Sequence, residues 1–448
     1  MPVQLIVTLV FAASVSLTIY LLLRRPYLYI RLRDRELRIE SYFLGALLGP
    51  VLFILFGLLN YGQIAEAMNG SGGLNPLGIL VLFLSMVFMS IFLDITGFFA
   101  YCARIALKYS NASGRRLFFT LYAIVAILTI FTSNDIIVLT FTPIVYHFTQ
   151  DSGMDPKPYL IAEFFAANTW SMMLYIGNPT NIVIASAFGI DFNTFTSHMF
   201  LPTIAGGITN ALLLYLIFRK EVNRPLNKNA EGKPSEAITD MPGAILGLLL
   251  LSACIVLLSI GPYLGIEMWK ISLLFALALL AILIIRDFYA SLLRKSEKTV
   301  AKVSQRVPWS VVPFVLSLFI TVEALRIYGI TGQAAVFLSN LFSGVGTASM
   351  FYGFASALSA NILNNIPMTV AFVPLVEPHG LVAALATVVG SNIGAEITPL
   401  GSLAGIMWLS MLHSRGVEMS FKDFVRYGAM VAPITLLVTL SLLALTFL

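Results

Sequence analysis

The chain has 448 residues, of which 58% are apolar and 11% charged, with a formal net charge of +5. Soluble domains carry about 25% charged residues, so a soluble enzyme is excluded and a polytopic helical membrane protein is indicated. The positive balance calls for no nucleic-acid partner, because Lys and Arg fall in short loops, where the cytoplasmic sides of membrane proteins collect them.

A hydrocarbon core about 30 Å thick takes about 20 apolar residues in one helix. Helices are required because lipid satisfies no backbone polar group. The first apolar run covers about residues 3–23 and is followed by Arg24, Arg25, Arg31, Arg33, Arg35 and Arg38. It lacks the basic start of a cleaved signal, so we read it as a retained helix with its N-terminus outside and the arginines inside. A second run, about 42–60, leads out. The loop at 62–76 is rich in Gly and Asn and has no Lys or Arg. A third run, about 77–93, returns and ends at Asp94, and the segment to Ser110, with Arg104 and Lys108, reads as a surface helix.

Residues 117–150 are apolar except for a break at Ser133-Asn134-Asp135, and both flanks are basic: Arg115-Arg116 before and Lys157 after. A segment that enters and leaves on one side is a re-entrant hairpin, and non-helical backbone at that depth must lie inside protein or beside water. Residues 159–188 exceed one crossing and are interrupted by Gly177-Asn178-Pro179-Thr180-Asn181, the mark of a broken helix. A run at about 199–218 closes the half, and a linker at 226–242 follows.

The second half repeats the plan with the opposite orientation: runs at about 244–260, 268–285 and 309–327, a surface helix at 331–341, a hairpin at 347–376 tipped by Asn364-Asn365, and a broken helix at 381–412 interrupted at Pro399-Leu400-Gly401-Ser402. A last helix leaves the C-terminus outside. The expected fold is all-α integral membrane, with two inverted-topology repeats, residues 1–225 and 243–448. Each repeat has five transmembrane helices, one of them broken, plus one re-entrant hairpin. Asn168 precedes Gly177 by nine positions, as Asn392 precedes Gly401. Transporters of this kind bind their cargo near the midplane, between repeats.

Broken helices leave free N–H and C=O groups at their ends. The side chains placed there are neutral: Ser133, Asn134, Asn178, Thr180, Asn181, Asn364, Asn365, Thr398, Gly401 and Ser402 are the expected substrate-binding residues. With no Lys or Arg at either tip or break, a neutral polyhydroxy solute or a cation is favoured. Asp135 and Glu396 are the expected proton carriers, since burial disfavours the charged form of a carboxylate. Asp94, Glu163 and Glu323 lie near predicted helix ends, where a solvated or capping role is the plainer reading. The two cysteines, Cys102 and Cys254, make no metal-ligand pattern, no cofactor is called for, and neither a His-Glu-x-x-His nor a Gly-x-Ser-x-Gly sequence supports an intramembrane enzyme.

At these residues the chain resembles the ion transporter superfamily. Ser133-Asn134-Asp135 with Pro143 downstream is similar to its hairpin motif, and Gly177-Asn178-Pro179-Thr180-Asn181 to its Gly-x-Pro-Pro-Asn break. Asn134-Asp135, Asn364-Asn365 and the run from Ile397 to Ala404 followed by Trp408-Leu409 resemble the ArsB-type arsenite efflux branch. The first break is closer to NhaD-type sodium/proton antiporters, and Glu396 stands where arsenite pumps usually carry a Lys. The resemblance implies proton-coupled efflux of arsenite, as its neutral trihydroxide, or antimonite, from a bacterial or archaeal inner membrane. It implies a moving transport domain on a scaffold, and brings in a cytoplasmic ATPase subunit as a partner that some arsenite pumps use. A sodium/proton antiporter or carboxylate carrier of the same superfamily is the alternative.

Overall fold

The computed structural model of the protein describes residues 3–25, 27–32, 35–69, 75–110, 113–151, 153–225, 234–292, 298–342 and 344–448. Arg33, most of the loop before Pro76 and residues 226–233 of the expected linker lie outside the described residues. The fold is helical, as the composition requires. Nine helical stretches among the described residues are long and apolar enough to cross a bilayer. Leu249, Val256, Leu274 and Ile284 stand more than half exposed, an apolar belt that needs lipid to cover it.

Helix α1 (Val3–Arg24) packs along α2 (Tyr42–Leu55). The basic stretch between them, read from sequence as a loop, forms the antiparallel strands β1 (Tyr27–Leu32) and β2 (Arg35–Glu40), paired from Tyr27↔Glu40 to Leu32↔Arg35. Its Tyr and Ile residues favour extended pairing in spite of the charge around them. Helix α2 has 14 residues, about 21 Å, and stops short of the expected residue 60. The chain leaves it through Gly57, at φ +65°. Helix α3 (Tyr61–Asn69) stands where a loop was expected. Asn60 and Gln63 cap it reciprocally, each accepting the other's backbone N–H at 2.9 Å.

The first half continues through α4 (Pro76–Ile95), α5 (Phe98–Ser110), α6 (Gly114–Phe131), α7 (Asn134–Asp151), α8 (Pro156–Trp170), α9 (Pro179–Ala187) and the 31-residue α10 (Phe192–Val222). The second half contains α11 (Met241–Ile260), α12 (Met268–Leu292), α13 (Thr299–Arg306), α14 (Val311–Ile327) and α15 (Ile330–Leu341). It ends with α16 (Val345–Leu363), α17 (Asn365–Val376), α18 (Gly380–Ile393), α19 (Leu403–Ser414) and α20 (Phe421–Leu445). From α4 to α10 and from α14 to α20 the order is the same: a long helix, a short helix, a helix pair broken at a tip, an interrupted helix, a closing helix. Both helix interruptions begin earlier than the Gly and Pro residues suggested. α8 ends at Trp170, and α18 ends at Ile393, six residues before Pro399.

Small residues let α16 and α18 close on one another. A Cβ built on Gly390 would lie 2.0 Å from Ser356 Oγ and 2.2 Å from the Gly353 carbonyl oxygen. Gly394 would meet Ala357 Cα at 2.7 Å. Backbone lies on the far side of both contacts and cannot swing aside. Gly390→Ala is therefore expected to force the pair apart at a cost of about 1–3 kcal/mol. A thermal-unfolding series in detergent checks this: an unchanged melting curve would contradict the close approach.

Candidate functional site

The first tip is a break of two residues. Thr132 caps α6 and turns its hydroxyl back to the Leu128 carbonyl at 2.7 Å, and α7 opens at Asn134. Asn134 is fully buried and donates from Nδ2 to Asn168 Oδ1 at 3.2 Å. Asn168 in turn donates from Nδ2 to the Phe164 carbonyl at 2.9 Å, which fixes its own amide and so the sense of the Asn134 bond. At the second tip Asn364 separates α16 from α17 with φ +72°, and it is the one non-glycine residue at positive φ among those described. Such a conformation costs on the order of 1–3 kcal/mol and persists where its surroundings dictate it. Asn364 donates from Nδ2 to the Leu400 carbonyl at 3.1 Å, and Asn361 donates to the Ala357 and Gly394 carbonyls, both at 2.8 Å.

These donations leave acceptors over. Ser133 Oγ and the Oδ1 atoms of Asn134, Asn361, Asn364 and Asn365 are buried and have no hydrogen-bond partner among the described residues. Flipping Asn134, Asn361 or Asn364 would set amide oxygen against oxygen, so the acceptors stay where they are. Buried polar atoms are otherwise nearly always paired. Five such atoms lie at the two tips, where hydrogen-bond donors or a cation would satisfy them.

The interrupted helices meet through their side chains. Asn392 Oδ1 accepts from Asn178 Nδ2 at 2.9 Å and lies 2.6 Å from Ser171 Oγ, while Asn392 Nδ2 donates to Asn181 Oδ1 at 2.8 Å. Asn181 Nδ2 bonds the Ser171 and Leu174 carbonyls, and the hydroxyls of Ser391 and Thr180 are 3.0 Å apart. Asn178, Thr398 and Ser402 also cap restarting helices, accepting from the backbone N–H of Thr180, Leu400 and Gly405. Gly401 has no room for a side chain: a Cβ would lie 2.8 Å from Ala395 Cα and 3.1 Å from Asn361 Oδ1.

A cavity of about 1010 Å³ lies between α2, α4 and α14 on one side and α7, α17 and α19 on the other. Asp135 and Ile136 at the start of α7, Ile366 at the start of α17 and Leu403 at the start of α19 all line it. The two tips and the second break thus flank one chamber, though Asn134 and Asn364 themselves sit behind its wall. Three helix N-termini, with their partial positive charge, reach it beside the Asp135 carboxylate. Asp94 lines the same cavity but is ion-paired, 2.6 Å from Arg306 Nη1, and Glu323 pairs with Arg326 at 2.6 Å.

Glu396 is not in that chamber. It is fully buried against α8 and α10, taking the Thr169 hydroxyl at 2.5 Å and the Asn210 amide at 2.8 Å. Asn210 also lies 3.3 Å from the Tyr122 hydroxyl. The two acids expected to share proton carriage therefore occupy different environments, one facing space and one facing fixed donors. Glu163 departs from its expected place at a helix end. It lies a full two turns into α8, fully buried, with Thr142 and Trp408 as partners.

Asn210, Asn361 and Glu163 carry parts of the arrangement that sequence reasoning did not assign. Glu163 and Asn210 each interrupt an apolar run and Asn361 stands in one cluster of amides with Asn364 and Asn365, and the cost of such groups in a membrane was the signal available. Among the described residues no group of three His, Cys, Asp or Glu side chains could hold a metal ion.

Comparison with known proteins agrees with this architecture. The family model described as citrate transporter (CitMHS) matches residues 41–379. The arsenical pump membrane protein of Escherichia coli strain K12 is 29% identical over 411 residues, covering 90% of this chain and 92% of its own. The YdaH transporter of Alcanivorax borkumensis, a structure of unusual topology, superposes with a TM-score of 0.59 at 16% identity, covering 99% of this chain and 98% of its own. MtrF of Neisseria gonorrhoeae, described with a class of antimetabolite efflux pumps, gives 0.57 at 14% identity, covering 98% of this chain and 94% of its own. With three quarters of its length matched by one family model, the chain belongs to the citrate transporter family and is a multi-pass membrane transport protein.

Proposed function

We propose that the protein is a proton-coupled secondary transporter that exports arsenite or antimonite by alternating access. It would work through two oppositely inserted repeats in an inner membrane, with both termini outside. The observation that carries this reading is the set of orphaned acceptors at the tips, Ser133 Oγ and the amide oxygens of Asn134, Asn361, Asn364 and Asn365. The neutral trihydroxide of arsenic brings three O–H donors and no charge, which suits acceptors held without a counter-charge. A carboxylate brings acceptors and would face oxygen against oxygen, at a cost of about 1–3 kcal/mol for each unmade bond. In this reading the tips, now behind the chamber wall, open during the cycle so that Ser133, Asn134, Asn364 and Asn365 reach the cargo. Asn178, Thr180, Asn181, Thr398, Gly401 and Ser402 hold the breaks that form the pocket. Asp135 takes the proton from the chamber, and Glu396 serves inside the transport domain. The names of the arsenical pump relatives support the cargo.

A second reading, a carboxylate carrier, draws on the family description and on the three helix N-termini at the chamber, which favour anions. Proteoliposomes separate the two. Arsenite added to vesicles carrying the protein is expected to drive proton movement that citrate and sodium do not. Proton movement with citrate and none with arsenite would replace the first reading by the second.

A further inference from the structure

We propose that Glu163 is a second proton-binding site, lying one side-chain layer behind the chamber wall and reached through the seam between α7 and α19. A threonine hydroxyl has one proton to donate. Thr142 Oγ1 lies 2.6 Å from the Val138 carbonyl oxygen, which can only accept, and 3.1 and 3.3 Å from the two carboxyl oxygens of Glu163. With the Thr142 proton on Val138, the Thr142–Glu163 contact needs a proton from the acid. The other neighbour, Trp408 Nε1, is 3.4 Å away, a long bond. No cation pairs with Glu163 among the described residues, and an uncompensated charge in a fully buried place costs several kcal/mol. The neutral acid, donating to Thr142, satisfies every atom in the arrangement.

The surroundings are otherwise apolar, with Phe164, Phe424 and Trp408 stacked in tilted and edge contacts. The titratable and charged groups on α7, α8, α19 and α20 are Asp135, Tyr146, His147 and Asp151, then Lys157 and Tyr159, then His413, and then Lys422, Asp423, Arg426 and Tyr427. None of them bonds Glu163 among the described residues: Tyr159 donates to the Gly114 carbonyl, His413 meets the Met419 carbonyl and Asp423 caps α20. Glu396, the nearest buried acid in the chain's other half, is occupied by Thr169 and Asn210.

A path to the chamber exists in the sequence of the wall. Pro143, Ile144 and Met407 line the cavity, and they are the chain neighbours of Thr142 and Trp408. Pro143 has no N–H, so the Leu139 carbonyl, also on the cavity wall, lacks its helical partner. That is the weakest point of α7. When the proton leaves Glu163 to the chamber, the Thr142 hydroxyl rotates from Val138 to the carboxylate, and it returns when the acid is reprotonated. The protonation state of Glu163 is thereby tied to the backbone of the hairpin arm that carries Asp135. This coupling role rests on the transport reading, whereas the proton on Glu163 does not.

The test uses the full chain in lipid. Infrared difference spectra of wild type against Glu163→Gln are expected to show loss of a protonated-carboxyl carbonyl band. Thr142→Val, which leaves the acid in place, is expected to shift that band to the position of a free acid. A Glu163→Gln spectrum that loses only carboxylate bands would overturn the proposal, and so would a Thr142→Val spectrum with no shift. In vesicles, Glu163→Gln should lower pH-driven arsenite accumulation at least about tenfold, the size of an ordinary coupling free energy, while arsenite counterflow persists. Undiminished pH-driven accumulation in this variant would remove the coupling role. If the band behaves as expected and wild type moves protons only with a different cargo, the functional reading fails and the proton site stands.

Discussion

Asp135→Asn is expected to abolish pH-driven transport while leaving cargo exchange intact. Asp135 is the second residue of α7 and its neighbours at the tip are neutral; of the other acids on the chamber wall, Glu40 accepts from the Ser310 hydroxyl and Asp94 is paired with Arg306, so Asp135 is the acid at the tip itself. Replacing its carboxylate by an amide keeps size and hydrogen bonding and removes only the proton exchange. In proteoliposomes with an acid interior, where protons leave as the cargo enters, arsenite accumulation by the wild type should rise with the gradient. The variant should show a flat response, reduced at least about tenfold at the steepest gradient, with arsenite–arsenite counterflow near the wild-type rate. Asp94→Asn is the informative control. Its carboxylate lines the same cavity but is bound to Arg306, so its loss frees an arginine at the chamber and should slow turnover without flattening the gradient response. Full gradient-driven activity in Asp135→Asn would mean that protons travel by another group.

The parts of this arrangement that were legible in the sequence are those where polar residues interrupt apolar runs. Asn134, Asn178, Asn364 and Ser402 could be read because membrane cost makes each an exception. The spacing of Asn168 to Gly177 and of Asn392 to Gly401 tied the two breaks together. What was not legible depends on partners far away in the chain. Where α8 stops is decided by Ser171 and Asn181, whose bonds to each other and to Asn392 replace helical ones, and no local signal at Trp170 announces it. Asp135 and Glu396 look alike in sequence. Only packing sends one to the chamber and the other to Thr169 and Asn210. The β-hairpin of residues 27–40 was hidden by its arginines, and α3 by the short loop around it.

The chemistry of the tips follows from the same comparison. An amide can present either face, and the choice is made by what lies behind it. Carbonyl oxygens stand behind Asn361 and Asn364, and the fixed amide of Asn168 stands behind Asn134. Each therefore spends its N–H groups on the protein and leaves its oxygen unpaired among the described residues. The surplus of acceptors is a consequence of helix breaks whose free carbonyls must be satisfied, rather than of the asparagine side chain as such.

Asn392→Ala is expected to be among the most damaging single changes in the chain. Asn392 is fully buried and joins the two interrupted helices, accepting from Asn178 and donating to Asn181 and to the Val388 carbonyl at 2.8 Å. Truncation leaves the Asn178 amide hydrogen and the Asn181 Oδ1 without partners, each at about 1–3 kcal/mol, although pairs measured in membrane helices average nearer 0.6 kcal/mol. Because the same residues join the two interrupted helices, which the proposed mechanism moves as a unit, loss of transport should exceed loss of stability: transport at background, with an apparent melting temperature lowered but a folded peak retained. Asn392→Asp sharpens the test. It keeps the acceptor for Asn178 and loses both donations while burying a charge, so it should be no better than alanine. Ser391→Ala, which removes one hydroxyl contact to Thr180 at 3.0 Å, should cost far less on both measures. Equal effects at 391 and 392 would show that the position of the helix break, and not the amide that spans it, carries the function.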